Sequence, residues 1–307
     1  MSANTPLDAL RHEIDAIDDA IHDLIMARTK VVEQVRKEKR GQSIKIRPAR
    51  ECSIIYRLME RHKGPFPKRE LARIWRELIV ATLSFEGPFS IGIHIPGAPV
   101  VDEPSQNMHS EYWDMVRNQY GSFTPMDGYP SASTLIDAVR RNEVAIGVLA
   151  LPKRAEEAPW WPLLTPKLKD IPRIINRLPF INAPENGSFK TEALVICSLP
   201  SEPTGRDNTF LVIETADEIS LKQLSTAFAK AGVKLIFSSS WRDIKFTSRY
   251  LYLVEVEGFI TNDDNIIQGI GESLGGVEHL IWTIGSYGKP LTAADLETKY
   301  KTGNDAL

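Results

Sequence analysis

The sequence predicts a multidomain protein that begins with an all-α segment of three helices and continues as an α/β region and an α+β segment. An apolar seam with alternating steps of three and four residues runs from Leu7 to Val35. Short apolar runs of the kind that form buried strands begin only after Pro88. From Thr209 to Ile284, strands and helices alternate in the order βαββαβ, which is the ferredoxin-like arrangement.

The domain boundaries follow from these changes of pattern. A chain of 307 residues is long enough for two or three domains. Gly87-Pro88 ends the helical part, because neither residue type favours a helix interior. We therefore place a helical domain at residues 1–88, an α/β region at 89–205, an α+β domain at 206–290 and a tail at 291–307.

Composition and charge are those of an ordinary globular protein, with 42% hydrophobic and 25% charged residues. The net charge of −3 provides no basic field, so we expect no nucleic-acid partner. No run approaches the roughly 18 apolar residues of a membrane span, and acidic residues recur from Asp8 onward, so we expect neither a membrane span nor a signal peptide. We expect a cytoplasmic protein whose two cysteines, Cys52 and Cys197, are free buried thiols.

The first predicted helix covers residues 7–40 and is too long for one small domain to bury. At 1.5 Å per residue its length is about 50 Å, so a partner chain is implied. Gly41-Gln42-Ser43 ends this helix, and Pro48 begins a second one at a first-turn position. A third helix is predicted over residues 70–85. The apolar seam of the first helix consists of Leu7, Leu10, Ile14, Ile17, Ile21, Leu24, Val31 and Val35.

Arg28 interrupts this seam, and a buried unpaired guanidinium is costly enough to need a reason. Lys39 follows about three turns later, so it faces the same side roughly 16 Å along the axis. Both side chains can reach one small anion. Arg11 lies about 25 Å before Arg28 and reaches such a site only in a neighbouring antiparallel chain. Spacing alone favours a coiled coil whose charges set the register.

Two further polar features accompany this helix. Arg47 and Arg50 add two cations at the start of the second helix, where Glu51 adds a carboxylate. Thr82 and Glu86 form an i,i+4 polar pair on the otherwise apolar third helix.

With these residues in place, the stretch from Leu7 to Pro88 resembles the helical chorismate mutase domain of proteobacterial bifunctional chorismate mutase–prephenate dehydratases. The resemblance covers the whole helical segment and every polar position named above. The matching segments are Leu10-Arg11-His12-Glu13-Ile14-Asp15-Ala16-Ile17-Asp18, Ala27-Arg28, Lys37-Glu38-Lys39, Arg47-Pro48-Ala49-Arg50-Glu51 and Trp75-Arg76-Glu77-Leu78-Ile79.

The resemblance implies a site that binds chorismate and is shared within a homodimer. It implies that Arg11, contributed by the partner subunit, and Arg28 each bind a substrate carboxylate. It further implies that Lys39 donates to the ether oxygen and that Glu51 takes the ring hydroxyl. The other residues of the implied substrate-binding set are Arg47, Thr82 beside a carboxylate, and Glu86 facing the ether oxygen.

The chemistry fits these residue types. Rearrangement of chorismate to prephenate needs a folded substrate and donors at the ether oxygen, where negative charge grows. Arginine binds carboxylates in a bidentate manner, and neither a metal nor a cofactor is required. Lys39, Glu86 and Arg28 are the candidate catalytic residues. A carboxylate donates only when protonated, so Glu86 is expected to act as the neutral acid.

The region after Phe89 resembles, with departures, the prephenate dehydratase and ACT regulatory parts of the same bifunctional enzymes. The stretch from Tyr250 to Gly258 is similar to the third strand of an ACT domain. Asn208-Thr209-Phe210 stands where the family has Thr-Arg-Phe, so the dehydratase arginine is gone. Ser239-Ser240-Trp241-Arg242 stands where the phenylalanine-binding Glu-Ser-Arg-Pro is found.

Three interpretations of this region stay open: a small-molecule sensor, with an aromatic amino acid as its effector, a scaffold or partner-binding module, and an active dehydratase. For the whole chain, the main hypothesis is a chorismate mutase of aromatic amino acid biosynthesis with a non-catalytic regulatory half. The alternatives are a bifunctional mutase and dehydratase, or a non-enzymatic helical interaction or sensor protein.

Overall fold

The computed structural model describes residues 5–38, 46–83, 89–95, 106–121, 123–165, 170–181, 191–242 and 249–297. Three helices come first and a mixed region of strands and helices follows, as the sequence predicts. The helices are α1 (Pro6–Glu38), α2 (Pro48–Arg61), α3 (Lys68–Leu83), α4 (Gln106–Tyr120), α5 (Ala132–Arg140), α6 (Leu221–Lys230), α7 (Asn265–Ser273) and α8 (Ala293–Leu296). The strands are β1 (Ile91–His94), β2 (Met126–Gly128), β3 (Ile146–Ala150), β4 (Arg173–Leu178), β5 (Ala193–Cys197), β6 (Asp207–Thr215), β7 (Leu235–Trp241), β8 (Tyr250–Glu257) and β9 (His279–Gly288).

The long helix α1 is confirmed, and its apolar seam faces solvent within the single chain. None of its 33 residues, all of which the structure describes, is buried. The seam side chains are between 41% exposed, at Val35, and 70% exposed, at Leu24. Residues 39 and 40 of the predicted helix, like residues 84 and 85 of the third, lie outside the described residues. In the described part of the chain, no helix is both long enough and apolar enough to cross a bilayer.

Helix α2 packs on the sheet as well as on α3. Its buried side chains Cys52, Ile55, Tyr56 and Met59 join Phe180 and two residues near the C-terminus in one apolar cluster. The Tyr56 hydroxyl donates to the carbonyl oxygen of Lys289 at 2.5 Å. Both cysteines are free and buried, as predicted. Burial raises the pKa of the Cys52 thiol to about 12, so it stays protonated and packs as a small apolar group.

Within the described residues, the strands of the mixed region form one sheet of nine, in the order β2-β1-β3-β5-β4-β9-β6-β8-β7. β1 pairs in parallel with β2 and β3, whereas β5 is antiparallel to β3 and β4. Two strands are not predicted from the sequence: β2, which has only three residues, and β4, whose apolar run is interrupted by Arg173, Asn176 and Arg177. The 3₁₀ turn at Trp161–Leu164 and the short helix α8 are not predicted either.

The βαββαβ order is confirmed. The elements β6, α6, β7, β8, α7 and β9 follow one another, and their strands pair antiparallel in the order β9-β6-β8-β7. Capping boxes start two of the helices: Ser131 with Thr134 at α5, and Ser220 with Gln223 at α6. The hydroxyl of each serine accepts from a backbone N–H that lacks a partner within the helix, and this contact stabilises the first turn.

Gly285 lies where the two halves of the sheet meet. β4 and β9 pair in parallel with Ile174 opposite Gly285, so the nine strands are continuous across this junction. The φ angle of Gly285 is +141°, and a Cβ at this position would overlap the backbone of Ile174. Only glycine allows this close approach.

Replacing Gly285 with alanine is expected to lower the free energy of unfolding by about 2–5 kcal/mol, because backbone strain and overpacking add. Urea denaturation monitored by circular dichroism measures this change. Gly205→Ala is the matched control, since Gly205 also has positive φ, +88°, but a Cβ added there would meet no atom within 4 Å. If both variants lost the same free energy of unfolding, the close backbone contact between Gly285 and Ile174 would not be the cause of the loss.

Candidate active site

Five of the seven residues that the sequence predicts for the site fall within the described residues. Lys39 and Glu86 lie outside the described residues, so only their sequence positions are known. The other five are on three helices: Arg11 and Arg28 on α1, Arg47 and Glu51 at the start of α2, and Thr82 on α3.

Arg28 and Arg11 have different surroundings although they share one helix. Arg28 is half-buried, and its Nη1 donates to the carbonyl oxygen of Leu78 on α3 at 3.2 Å. Burial lowers the pKa of Arg28, but a guanidinium stays charged at neutral pH. Arg11 is exposed and pairs with Asp8 at 3.2 Å. The helical rise separates the two arginines by about 25 Å, so one chain does not bring them together.

Arg47 connects the helical segment with the segment that follows β5. It precedes the first residue of α2, and its Nη1 lies 3.1 Å from a carboxylate oxygen of Glu202. Both side chains are close to half exposed. A solvent-exposed pair of this kind contributes about 0–1 kcal/mol, so Arg47 stays available to an anion.

Glu51 is buried and forms an ion pair with a residue that the sequence analysis did not select. Its Oε2 accepts from Nη1 of Arg76 on α3 at 2.6 Å, and Arg76 is only 2% exposed. Within the described residues, Oε1 of Glu51 and both Nε and Nη2 of Arg76 have no hydrogen-bond partner. A buried charge is retained only with a partner, so this pair fixes α2 against α3.

The sequence pattern of α3 could have identified Arg76 as a candidate site residue. The buried residues of α3 include Ala72, Arg76, Ile79 and Leu83, which recur at helical spacing. A cation on an apolar face is the same anomaly that singled out Arg28 on α1. The resemblance covered Trp75-Arg76-Glu77, but we assigned no role to the arginine there.

Thr82 lies one turn beyond the contact that Arg28 makes on α3. Its hydroxyl is buried and donates to the carbonyl oxygen of Ile79 at 2.7 Å. Its two lone pairs can still accept hydrogen bonds. The last two turns of α3 therefore carry Thr82 and accept the hydrogen bond from Arg28 of α1, while Glu51 of α2 pairs with Arg76 nearer the middle of α3.

Replacing one partner of the buried Glu51–Arg76 pair is expected to destabilise the protein more than replacing both partners. Arg76→Leu should lower the free energy of unfolding by about 3–5 kcal/mol, because the Glu51 carboxylate is left buried and unpaired. The double variant Glu51→Leu, Arg76→Leu should recover most of that loss in urea denaturation. Glu70→Leu, which breaks the exposed pair with Arg73 at 3.5 Å, is the control and should cost less than about 1 kcal/mol. Additive losses in the double variant would argue against the pairing.

Comparison with known proteins places the helical segment in a family. Residues 10–87 match the family described as chorismate mutase type II. The bifunctional chorismate mutase/prephenate dehydratase of Stutzerimonas stutzeri is 34% identical over 97 residues, and that of Pseudomonas aeruginosa is 31% identical over 97 residues. Each match covers 30% of this chain but 27% of the relative, so the matched part spans about a quarter of the relatives' length.

Solved structures were also compared. Prephenate dehydratase from Streptococcus mutans is 12% identical with a TM-score of 0.43, and the match covers 66% of this chain and 100% of that one. Prephenate dehydratase from Arthrobacter aurescens in complex with L-Phe is 12% identical with a TM-score of 0.46, over 66% of this chain and 92% of that one. Residues 10–87, which span the three helices of the N-terminal segment, are thus similar to chorismate mutase type II.

Proposed function

We propose that this protein is a chorismate mutase that rearranges chorismate to prephenate in cytoplasmic aromatic amino acid biosynthesis. The observation that carries the proposal is the family match over residues 10–87, a segment that contains every predicted site residue. The half-buried guanidinium of Arg28, held against α3 by the carbonyl of Leu78, supports it, because it provides a fixed cation for a substrate carboxylate.

In the proposed reaction the protein acts by orientation and by charge. Arg28 and, from a second copy, Arg11 hold the two carboxylates, so that the substrate is folded with its reacting carbons close together. Glu51 accepts the ring hydroxyl through the oxygen that Arg76 leaves unpartnered within the described residues. Lys39 and protonated Glu86 donate to the ether oxygen as its bond to carbon breaks. No covalent intermediate forms.

The proposal includes a homodimer whose sites are shared between subunits. The exposed seam of α1 is one apolar surface that a second copy would cover. An open groove along α3 is another, lined by Ile74, Leu78, Phe89 and the fully exposed Phe123. Soluble proteins rarely leave such extended apolar patches uncovered. The 25 Å between Arg11 and Arg28 requires that a complete site take its Arg11 from the partner.

For the C-terminal half we propose a non-catalytic, regulatory role with an aromatic amino acid as effector. The two positions that depart from the dehydratase signature are occupied by internal contacts. Asn208 Nδ2 donates to Glu255 at 2.9 Å, and the Thr209 hydroxyl donates to the carbonyl oxygen of Gly258 at 2.7 Å. Both side chains are buried in the sheet, which favours a structural role over a bifunctional enzyme.

Arg28→Ala in the full-length protein is expected to lower the turnover of chorismate by at least ~10²-fold, the scale for losing one preorganised charge-binding group. Loss of chorismate absorbance measures the rate. Arg57→Ala is the matched control, since Arg57 is an exposed arginine on α2 outside the proposed site. A rate within threefold of wild type would remove Arg28 from the site.

The same reaction, analysed for phenylpyruvate, distinguishes a mutase from a bifunctional enzyme.

Mixing two inactive variants is expected to restore activity if the sites are shared. Arg11→Ala and Arg28→Ala chains, unfolded together in equal amounts and refolded, form heterodimers in which one site carries both changes and the other carries neither. The mixture should recover about a quarter of the wild-type activity, since half of the dimers then have one intact site. Each variant refolded alone is the control. An inactive mixture with heterodimers verified by mass spectrometry would rule out sharing.

A further inference from the structure

A second concave site, separate from the proposed mutase residues, lies between α3, α4 and the segment after β4. We call it the α3–α4 cavity. Its volume is about 210 Å³. Three arginines at i, i+4 and i+7 on one side of α3 line it: Arg69, Arg73 and Arg76. Among the residues that the structure describes, none of those proposed for the mutase site lines this cavity, and Glu77 is its one lining carboxylate.

Two of the side chains that line the cavity are buried and carry donors without a partner in the described part of the chain. Arg76 is 2% exposed, and its Nε and Nη2 are unsatisfied, because Glu51 engages only Nη1. Gln119 on α4 is 5% exposed, and its Nε2 is unsatisfied too. Buried polar atoms rarely lack a partner, because the desolvation penalty is not recovered. A ligand that accepts hydrogen bonds would satisfy all three.

The orientation of Arg76 is fixed before any ligand arrives. Glu51 holds one end of its guanidinium at 2.6 Å, and the ring of Phe180 lies against it with the centroid 5.6 Å from Cζ. The remaining edge, with Nε and Nη2 side by side, has the fork geometry that binds a carboxylate through two parallel hydrogen bonds. Preorganisation of this kind reduces the entropy that binding costs.

The remaining walls decide which kind of anion fits. Met115, Pro179, Phe180 and Ile181 contribute apolar surface to the lining. An inorganic anion gains nothing from such a wall, whereas a flat hydrocarbon body does. The lining has three guanidinium groups and one carboxylate, and Arg76 keeps two donors after pairing with Glu51, so the cavity favours an anion. The volume is below the roughly 300–1,000 Å³ of sites for larger ligands, so the ligand is small.

We propose that the α3–α4 cavity binds a small organic carboxylate with a flat apolar body, whose carboxylate is received by Nε and Nη2 of Arg76 and by the amide of Gln119. The site is a further one, and it does not depend on the mutase activity proposed above.

Isothermal titration calorimetry of the full-length protein with 3-phenylpropionate tests the site. We expect saturable binding with a dissociation constant near or below about 1 mM. The neutral analogue 3-phenylpropanamide, which keeps the body without the charge, should bind at least tenfold more weakly. Inorganic phosphate, which has charge without the body, should also bind at least tenfold more weakly. Absence of saturable heat with 3-phenylpropionate, or equal binding of phosphate, would overturn the proposal.

Variants locate the ligand. Arg76→Lys keeps the charge but removes the fork, and it should weaken binding at least tenfold. Gln119→Leu leaves the pair with Glu51 intact, so it serves where Arg76→Lys does not fold, and it should weaken binding at least threefold. Arg57→Gln is the matched control and should bind as wild type does. Wild-type affinity in Gln119→Leu would overturn the assignment. Loss of binding in Arg28→Ala would also do so, because it would place the ligand among the mutase residues.

Discussion

The buried ion pair between Glu51 and Arg76 is the constraint on which the helical segment depends. It joins α2 and α3 through a 2.6 Å contact between two side chains that water barely reaches. Removing both charges from water costs several kcal/mol per ion, and close contact in a low dielectric offsets that cost only with good geometry. The two helices therefore have one relative position. Thr82, and Arg28 through its contact with Leu78, are held on the helix that this pair fixes.

The same two helices are anchored to the sheet. Cys52 and Tyr56 on α2 lie against Gly288 at the end of β9, and a side chain at Gly288 would meet both of them. Arg206 lies over the ring of Tyr56 with 4.7 Å between Cζ and the centroid. In contrast, α1 contacts this body through a half-buried arginine and leaves its apolar seam to solvent. The part of the proposed site on α2 and α3 is thus held within one chain, whereas the apolar seam of α1 stays exposed in that chain.

A buried polar network holds the centre of the sheet together. Glu255 on β8 accepts from Asn208 on β6, from Tyr287 on β9 and from Arg177 on β4. Burial, followed by the neighbouring charge of Glu255, raises the pKa of Tyr287 above its ordinary value, so its hydroxyl remains a donor. Four strands from the two halves of the sheet share this network. Asn208 therefore has a structural role in the sheet.

The sequence alone determined the secondary structure wherever one periodicity dominated. The seam of α1, Pro48 at the start of α2 and the βαββαβ order are local signals, and each was predicted. Arg28 and Thr82 were selected because each is a polar residue on an otherwise apolar helix face. The roles of Arg28, Glu51 and Thr82 in substrate binding were predicted from the resemblance. Only the tertiary structure decided three other features: the pairing of Glu51 with Arg76, the single sheet that passes through Gly285, and the cavity beside α4. These depend on contacts between residues far apart in sequence, and no local pattern of charge or hydrophobicity specifies which distant backbone or side chain will supply the partner.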